Sequence, residues 1–396
     1  MKIALIADTF PPLRNSGAVQ LRDLSREFVA QGHQLTVILP SWEIKEDFLL
    51  EEMEGFQVLR LKSPKTKDVN YARRTLSEFL MPFFMKRGYR KSTLRHEKWD
   101  GVAWYAPSIF HAPFVKYLKK ASDCKGYLII RDIFPEWAVD MGLMGRGIIY
   151  RFFSAVAHYQ YSVADIIGVQ TPGNLSYFED WKKNKRKKLV VLQNWLADTK
   201  SGSCSISINE TKLVGRKIFV YAGNMGVAQG MDILVDLAEK LKDRRDIGFL
   251  FVGRGSEAKR LAEEARKRSL DNIEFKDEIH PDEIPALYAQ CSVGIVSLDQ
   301  RHKSHNIPGK FLSYMQSGIP VLANINPGND LAELIRSEGV GVVCEDADIQ
   351  DMEHKANILI NSVEMDADFQ KRCRAVYWKM FSPSQAVNQI VLELKS

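Results

Sequence analysis

Cysteine is scarce and scattered. Cys124, Cys204, Cys291, Cys344 and Cys373 make an odd five with no C-x-x-C spacing, a pattern that excludes a disulfide framework or a zinc knuckle and fits a reducing cytoplasm. Long apolar runs are missing as well. Gly147 to Val169 comes nearest, but Arg151, His158 and Asp165 interrupt it, so no stretch reaches the roughly 18 consecutive apolar residues of a membrane span. The opening run Lys2 to Ala7 is closed at once by Asp8; it is too short for the core of a signal peptide and is expected to be a first buried strand. Neither sign of charge dominates: 55 basic residues stand against 49 acidic ones, a net charge of +6, which is too mild to imply nucleic acid as a partner.

What is present is 396 residues, 45% hydrophobic and 26% charged, the balance of a soluble globular protein. At about 100 to 200 residues per domain the length predicts two domains, each with its own core. Two distant segments share one plan. Lys2 to Ala7 is a strand followed by a loop with Pro11, Pro12 and Gly17, a helix from about Ala18 to Ala30, the turn Gly32-His33 and a strand Gln34 to Leu39. Lys217 to Ala222 opens the same series: a loop with Gly223, Gly226 and Gly230, a helix from about Met231 to Leu241, and a strand Ile247 to Val252. Tandem strand-helix-strand units predict an α/β chain of two Rossmann-like parallel sheets covered by helices. The Ser/Thr/Gly-rich stretch Asp198 to Asn209 reads as the linker. It divides the chain into residues 1–197, residues 198–376 and a terminal helix over 377–396 that packs on the first domain, with helical periodicity in Val387, Ile390, Val391 and Leu394.

In open parallel sheets, ligands bind beyond the carboxyl ends of strands, where helix N-termini offer N–H groups to anions. Three loops qualify. Asn15-Ser16-Gly17 follows the first strand. Val252-Gly253-Arg254-Gly255-Ser256 follows another and puts a guanidinium beside a helix start; it also matches G-x-G-x-x-A, though not on the first strand of its domain. Asn306-Ile307-Pro308-Gly309-Lys310 opens the helix Gly309 to Ser317, with a cation in a first turn whose dipole disfavours it unless an anion is near. In the first half, the strand Tyr127 to Ile130 ends in Arg131-Asp132, two charges at the carboxyl edge of the sheet. They are expected either to face the cleft or to cap the strand end as a pair.

Two further stretches carry charge. Met81 to Trp99 mixes Lys86, Arg87, Arg90, Lys91, Arg95 and Lys98 with Phe83, Phe84, Tyr89 and Trp99, as suits an anionic membrane surface. Trp181 to Lys188 is a second basic run. By contrast Asp346-Ala347-Asp348 and Asp366-Ala367-Asp368, which match a D-x-D metal pattern, read as solvated charge, and His302 and His305 lack a ligating neighbour at suitable spacing.

Taken in order, Gly32-His33, Gln193-Asn194-Trp195, Tyr221-Ala222-Gly223-Asn224-Met225-Gly226, Val252-Gly253-Arg254-Gly255 and Gly309 to Val321 resemble the motifs of glycosyltransferase family 4 over nearly the whole chain. With Arg131-Asp132-Ile133-Phe134-Pro135-Glu136, the resemblance extends to bacterial N-acetylfucosamine transferases of surface-polysaccharide (O-antigen and capsule) assembly. It implies the GT-B fold, two Rossmann-like domains facing across a cleft. It also implies metal-independent transfer with retention from a nucleotide-diphosphate sugar, a UDP-sugar such as an N-acetylated deoxyhexosamine. The acceptor would be an undecaprenyl-diphosphate-linked or oligosaccharide chain, and the setting cytoplasmic, peripheral on the inner face of the membrane. No cofactor and no nucleic acid is implied. The donor would rest on Gly17, Gly223, Asn224, Gly253, Arg254, Pro308, Gly309, Lys310 and Ser313, with Arg131, Asp132, Arg254 and Lys310 as the catalytic set.

The sequence departs from the family in three places. Positions that often hold two glutamates eight apart are His305 and Ser313, an Arg and a Lys that often bind diphosphate are replaced by Asn224 and Gln229, and Arg131 stands where a histidine is common. The missing glutamates motivate one rival reading, a catalytically silent subunit of the same fold that binds nucleotide sugar or scaffolds a partner. The glycine fingerprint motivates another, a nicotinamide-dependent oxidoreductase.

Overall fold

A computed structural model of the chain describes residues 1–13, 15–182, 187–198, 202–299 and 306–396. The chain divides into two compact units, Met1–Trp195 with Pro383–Ser396, and Leu196–Ser382. The division falls at 195/196, and Tyr377–Phe381 belongs to the second unit as a single wide helical turn. Pro383 then opens the terminal helix Pro383–Lys395, where a missing N–H costs nothing in a first turn.

The first unit is built on eight strands: β1 (Lys2–Ile6), β2 (Gln34–Ser41), β3 (Phe48–Met53), β4 (Phe56–Lys62), β5 (Gly101–Tyr105), β6 (Lys125–Ile129), β7 (Ile166–Val169) and β8 (Lys188–Val191). Their order is β3-β4-β2-β1-β5-β6-β7-β8, all parallel except the edge hairpin β3·β4. A strand with helices on both sides has two dry faces, which is why β1 reads as an unbroken apolar run. Its side chains still alternate. Ile3 and Leu5 join the layer of the helix Ser16–Ala30 and the terminal helix, while Ala4 and Ile6 join that of the helices Tyr71–Lys91 and Ala112–Ser122. The terminal helix buries Val387, Ile390, Val391 and Leu394, the residues of its apolar period. Gly101 admits it, because a Cβ there would lie 2.7 Å from Leu394 Cδ1.

The second unit has six parallel strands: β9 (Lys217–Ala222), β10 (Ile247–Val252), β11 (Ile273–Lys276), β12 (Val293–Ser297), β13 (Val321–Asn324) and β14 (Gly341–Cys344), in the order β11-β10-β9-β12-β13-β14. In each sheet the strand order reverses at the unit's first strand, β1 or β9. Loops leave in opposite directions at such a point and open a crevice at the carboxyl edge.

Candidate functional site

In the second unit the crevice is shaped by two loops joined back to back. Gly223 N–H donates to Val252 O at 2.9 Å, Met225 N–H to Arg254 O at 2.7 Å and Glu257 N–H to Met225 O at 3.0 Å. Gly253 and Gly255 hold φ of +142° and +152°, and a Cβ on them would come within 2.0 Å of Gly223 O and 2.2 Å of Met225 O. Their first task is therefore to let two backbones touch, a reason for glycine that the G-x-G-x-x-A pattern does not reveal. Asn224 and Gln229, which stand where the family often has cations, bond to each other: Gln229 Oε1 accepts from Asn224 Nδ2 at 3.2 Å and from Gly226 N–H at 2.9 Å.

Across from this double loop starts the helix Gly309–Ser317, whose first residue follows an extended Pro308 with no side-chain cap. Tyr314 anchors it. Its hydroxyl lies 3.1 Å from both Val220 O and Ile295 O, its ring packs on Tyr288, and the missing side chain of Gly294 leaves room for it. One turn earlier on the same face, Lys310 is set over the ring of Tyr221, with Nζ 3.7 Å from the ring centroid. The Tyr221 hydroxyl donates to Asn224 O at 2.6 Å, which ties ring and loop together. A Cβ on Gly223 would be 3.7 Å from Lys310 Cε. Lys310 is thus a half-buried ammonium that, among the described residues, has an aromatic face but no carboxylate partner. Burial lowers its pKa to about 7. A cation kept half-neutral by desolvation gains most from an incoming anion.

Arg254 is different. Its side chain is 80% exposed, and Nε pairs with Glu278 at 3.0 Å. Pairs this open are worth about 0 to 1 kcal/mol and exchange readily for a better anion. Ser313 lies one turn beyond Gly309 and back-bonds to its carbonyl at 3.4 Å. Pro308 and Gly309 shape the helix mouth as the sequence predicts.

In the first unit the corresponding edge gathers around Tyr105 at the end of β5. Asn15 caps the helix Ser16–Ala30 by accepting from Ala18 N–H at 2.9 Å, and Gly17 brings that mouth against Thr9 and Tyr105, where a Cβ would sit 3.2 Å and 3.5 Å from their side chains. Arg131 was expected to face a cleft or to cap the strand end with Asp132. Instead its guanidinium is buried, stacked 4.4 Å from the Trp195 ring centroid and donating to Leu192 O at 3.0 Å and Gln193 O at 3.4 Å. It also bonds Tyr105. A planar fork with five donors suits such a junction, which makes Arg131 a positioning residue. Asp132 stays at the solvent edge, and desolvation raises its carboxyl above the ordinary range, opposed by Arg131. Asp8, which the sequence reading uses only to end the first strand, is a second desolvated carboxylate at the same edge, raised for the same reason and opposed by Lys67 and Arg74. Both acids act electrostatically on Tyr105. An acid directly after the first strand was the available signal. His111, also passed over in the sequence, is fully buried with neither ring nitrogen bonded among the described residues, and burial lowers its pKa to about 4.

The decoys resolve into caps. Asp348 accepts from Gln350 N–H at 2.8 Å at a helix start, and Asp366 pairs with Arg372 at 2.7 Å. Of the basic run 181–188, residues 183–186 lie outside the described residues. Lys187 donates to Ser162 O at 2.5 Å and Ala164 O at 2.9 Å, and Lys188 pairs with Glu393 at 2.5 Å. His302 and His305 also lie outside the described residues, as does 199–201 of the linker.

Residues 216–362 match the family model described as glycosyl transferases group 1, a span that holds both halves of the Lys310 crevice. The probable glycosyltransferase WbjE of Pseudomonas aeruginosa is 25% identical over 238 residues, 57% of this chain and 58% of that protein. The putative colanic acid biosynthesis glycosyl transferase WcaI of Escherichia coli K12 is 22% identical over 377 residues, 88% of this chain and 90% of that protein. Among solved structures, HepE of Anabaena in complex with UDP superposes with a TM-score of 0.67 at 14% identity, covering 100% of both chains. The two-unit α/β architecture is therefore the GT-B fold, and these likenesses support a group 1 glycosyltransferase.

Proposed function

We propose that the chain is a retaining, metal-independent glycosyltransferase of the family 4 type, acting in bacterial surface-polysaccharide assembly. The observation that carries this reading is the Lys310 ammonium, desolvated over Tyr221 at an uncapped helix mouth beside the Gly223 loop. Such a site favours a diphosphate over its neutral surroundings. The names of the two curated relatives, and the UDP held by a protein of the same fold, support a nucleotide sugar as the diphosphate's source. The donor we assign is a UDP-sugar, and the acceptor a lipid-diphosphate-linked or oligosaccharide chain.

In transfer, the bond from the anomeric carbon to the diphosphate breaks while an acceptor hydroxyl approaches the same face of the sugar. Negative charge grows on the departing phosphate. Lys310 and the Gly309 N–H meet that charge, so they hold the transition state more tightly than the ground state. Arg254 leaves Glu278 to close on the phosphates from the solvent side, and the departing phosphate oxygen takes the acceptor proton. At the first unit's edge, Asp132 orients the acceptor, with Arg131 holding that edge in place through Tyr105 and the 192–193 carbonyls.

The test is incubation of purified protein with a panel of nucleotide sugars and lipid-linked acceptors, with product anomers read by NMR. A product whose anomeric configuration matches the donor is expected. An inverted product contradicts the mechanism, and donor binding without transfer to any acceptor favours the silent subunit.

A further inference from the structure

The helix Tyr71–Lys91 is apolar on two opposite faces. One face, with Met81, Met85 and Tyr89, is buried in the core of the first unit. The other carries Leu76, Phe79, Leu80, Phe83 and Phe84, spaced i, i+3, i+4, i+7 and i+8, and all five are exposed, Leu76 at 59% and Phe83 at 52%. Helical geometry puts Arg73, Arg87 and Arg90 on this same outer face, toward the two ends of the apolar stripe. None of the three makes an ion pair among the described residues. The helix's one acid, Glu78, is held by Arg74.

The stripe does not stand alone. Phe79 lies 6.3 Å, ring to ring, from Phe152 on the neighbouring helix Ile148–Val163. The first turn of that helix and the loop before it expose Met141, Leu143, Ile148 and Ile149, with Leu143 at 72% and Ile148 at 86%. Arg146 and Arg151 flank them, both exposed and without an ion pair among the described residues. Of the acids nearby, Glu136 accepts from the Tyr150 hydroxyl at 2.8 Å and Asp140 is exposed beside Tyr177. Contiguous exposed apolar surface of this kind on a folded unit marks an interaction face.

We propose that this face, the outer stripe of Tyr71–Lys91 continued by Met141 to Phe152, lies on the surface of an anionic lipid bilayer. Charge selects the occupant. A second copy docked on the same patch about a two-fold axis would set arginine against arginine, whereas acidic headgroups complement unpaired arginines around an apolar centre. From Leu76 to Phe84 the outer face presents no polar side chain for the directed hydrogen bonds of a protein partner. No helix among the described residues is long and apolar enough to cross a membrane, so the chain would rest on the bilayer through this face. The reading deepens the lipid-linked acceptor proposed above. It also sorts the stretch 81–99, where Met81, Met85, Tyr89, Leu94 and Trp99 are core residues while Phe83, Phe84, Arg87 and Arg90 stay on the outer face, and it extends the contact to residues the sequence reading passed over.

The experiment is co-sedimentation of the full chain, at low salt, with equimolar phosphatidylglycerol–phosphatidylethanolamine vesicles and with phosphatidylcholine vesicles. Wild type is expected to pellet with the anionic vesicles only. F79S/F83S should weaken partitioning on the order of tenfold per phenylalanine, and R87Q/R90Q about fivefold per arginine, both with an unchanged melting temperature. Wild-type partitioning by F79S/F83S, or a wild type that stays in the supernatant, overturns the proposal. So does a dimer, seen by size exclusion, that F79S/F83S dissolves. Nucleoside-diphosphate binding, measured in the same samples, should be equal in all variants and reads the proposed activity separately.

Discussion

The carboxyl edges of the two sheets treat charge in opposite ways. At the second sheet a cation is left without an acid among the described residues, half-buried over Tyr221 with its pKa lowered to about 7. At the first sheet the cation is held within the unit, with Arg131 stacked on Trp195 and bonded to the carbonyls of Leu192 and Gln193, and it is the acids Asp8 and Asp132 that are left desolvated and raised. Both edges come from the same strand-helix plan and begin with a glycine-bearing loop. Fold alone therefore does not decide what an edge binds. The sign of the group left unpaired decides it, pointing to an anion at one edge and to hydroxyls or protons at the other.

The comparison breaks most visibly at Lys310. Lys310→Met is expected to lower sugar transfer about 100- to 1000-fold and to weaken nucleoside-diphosphate binding, while the protein still folds. The sign of its effect on stability follows from linkage. A folded-state pKa below the unfolded one costs stability while both states are charged, and the cost fades as pH rises from about 7 toward the unfolded value. The variant should thus melt above wild type at pH 6 and lose that advantage by pH 10. Asp132→Asn at the edge of the first sheet should reduce turnover on the order of a hundredfold through lost acceptor orientation with donor affinity unchanged, seen as a fall in kcat at constant donor KM. Arg131→Met should act on stability: chemical denaturation is expected to show a loss of about 3 kcal/mol, because it strands buried carbonyls, with nucleoside-diphosphate binding intact. The smallest effect is expected from Arg254→Gln, about tenfold or less in donor affinity, since its guanidinium starts out exposed and already paired with Glu278.

The first and last of these sharpen a distinction that sequence alone does not draw. Arg254 and Lys310 sit just before and just inside a helix start and read as equals. What separates them is Tyr221, 89 positions before Lys310 in the chain and brought under it by β9 and the Tyr314 anchor. The same limit explains Arg131, whose partners are carbonyls some 61 positions away. Local signals did carry far. The strands Lys217–Ala222 and Ile247–Val252 and the helix Gly309–Ser317 stand where apolar runs and turn residues put them. Residue type was legible where its reason was local and not where a second segment supplied it. Gly253 and Gly255 were visible as special glycines, but the backbone they admit belongs to Gly223 and Met225. Likewise the mixture in 81–99 shows its aromatics and cations, but only the phase of the helix tells which of them are core.

The central claim is that the Lys310 mouth of the second unit receives a diphosphate, and proton linkage tests it most directly. Titration calorimetry with a panel of nucleoside diphosphates at pH 7, repeated in buffers of different ionisation enthalpy, should show uptake of about half a proton on binding, because an ammonium that is half-neutral when free becomes fully charged beside phosphate. Lys310→Met should abolish that uptake and weaken binding. Tight binding of a nucleoside diphosphate with no proton uptake, and with the same Kd in Lys310→Met, would contradict the account.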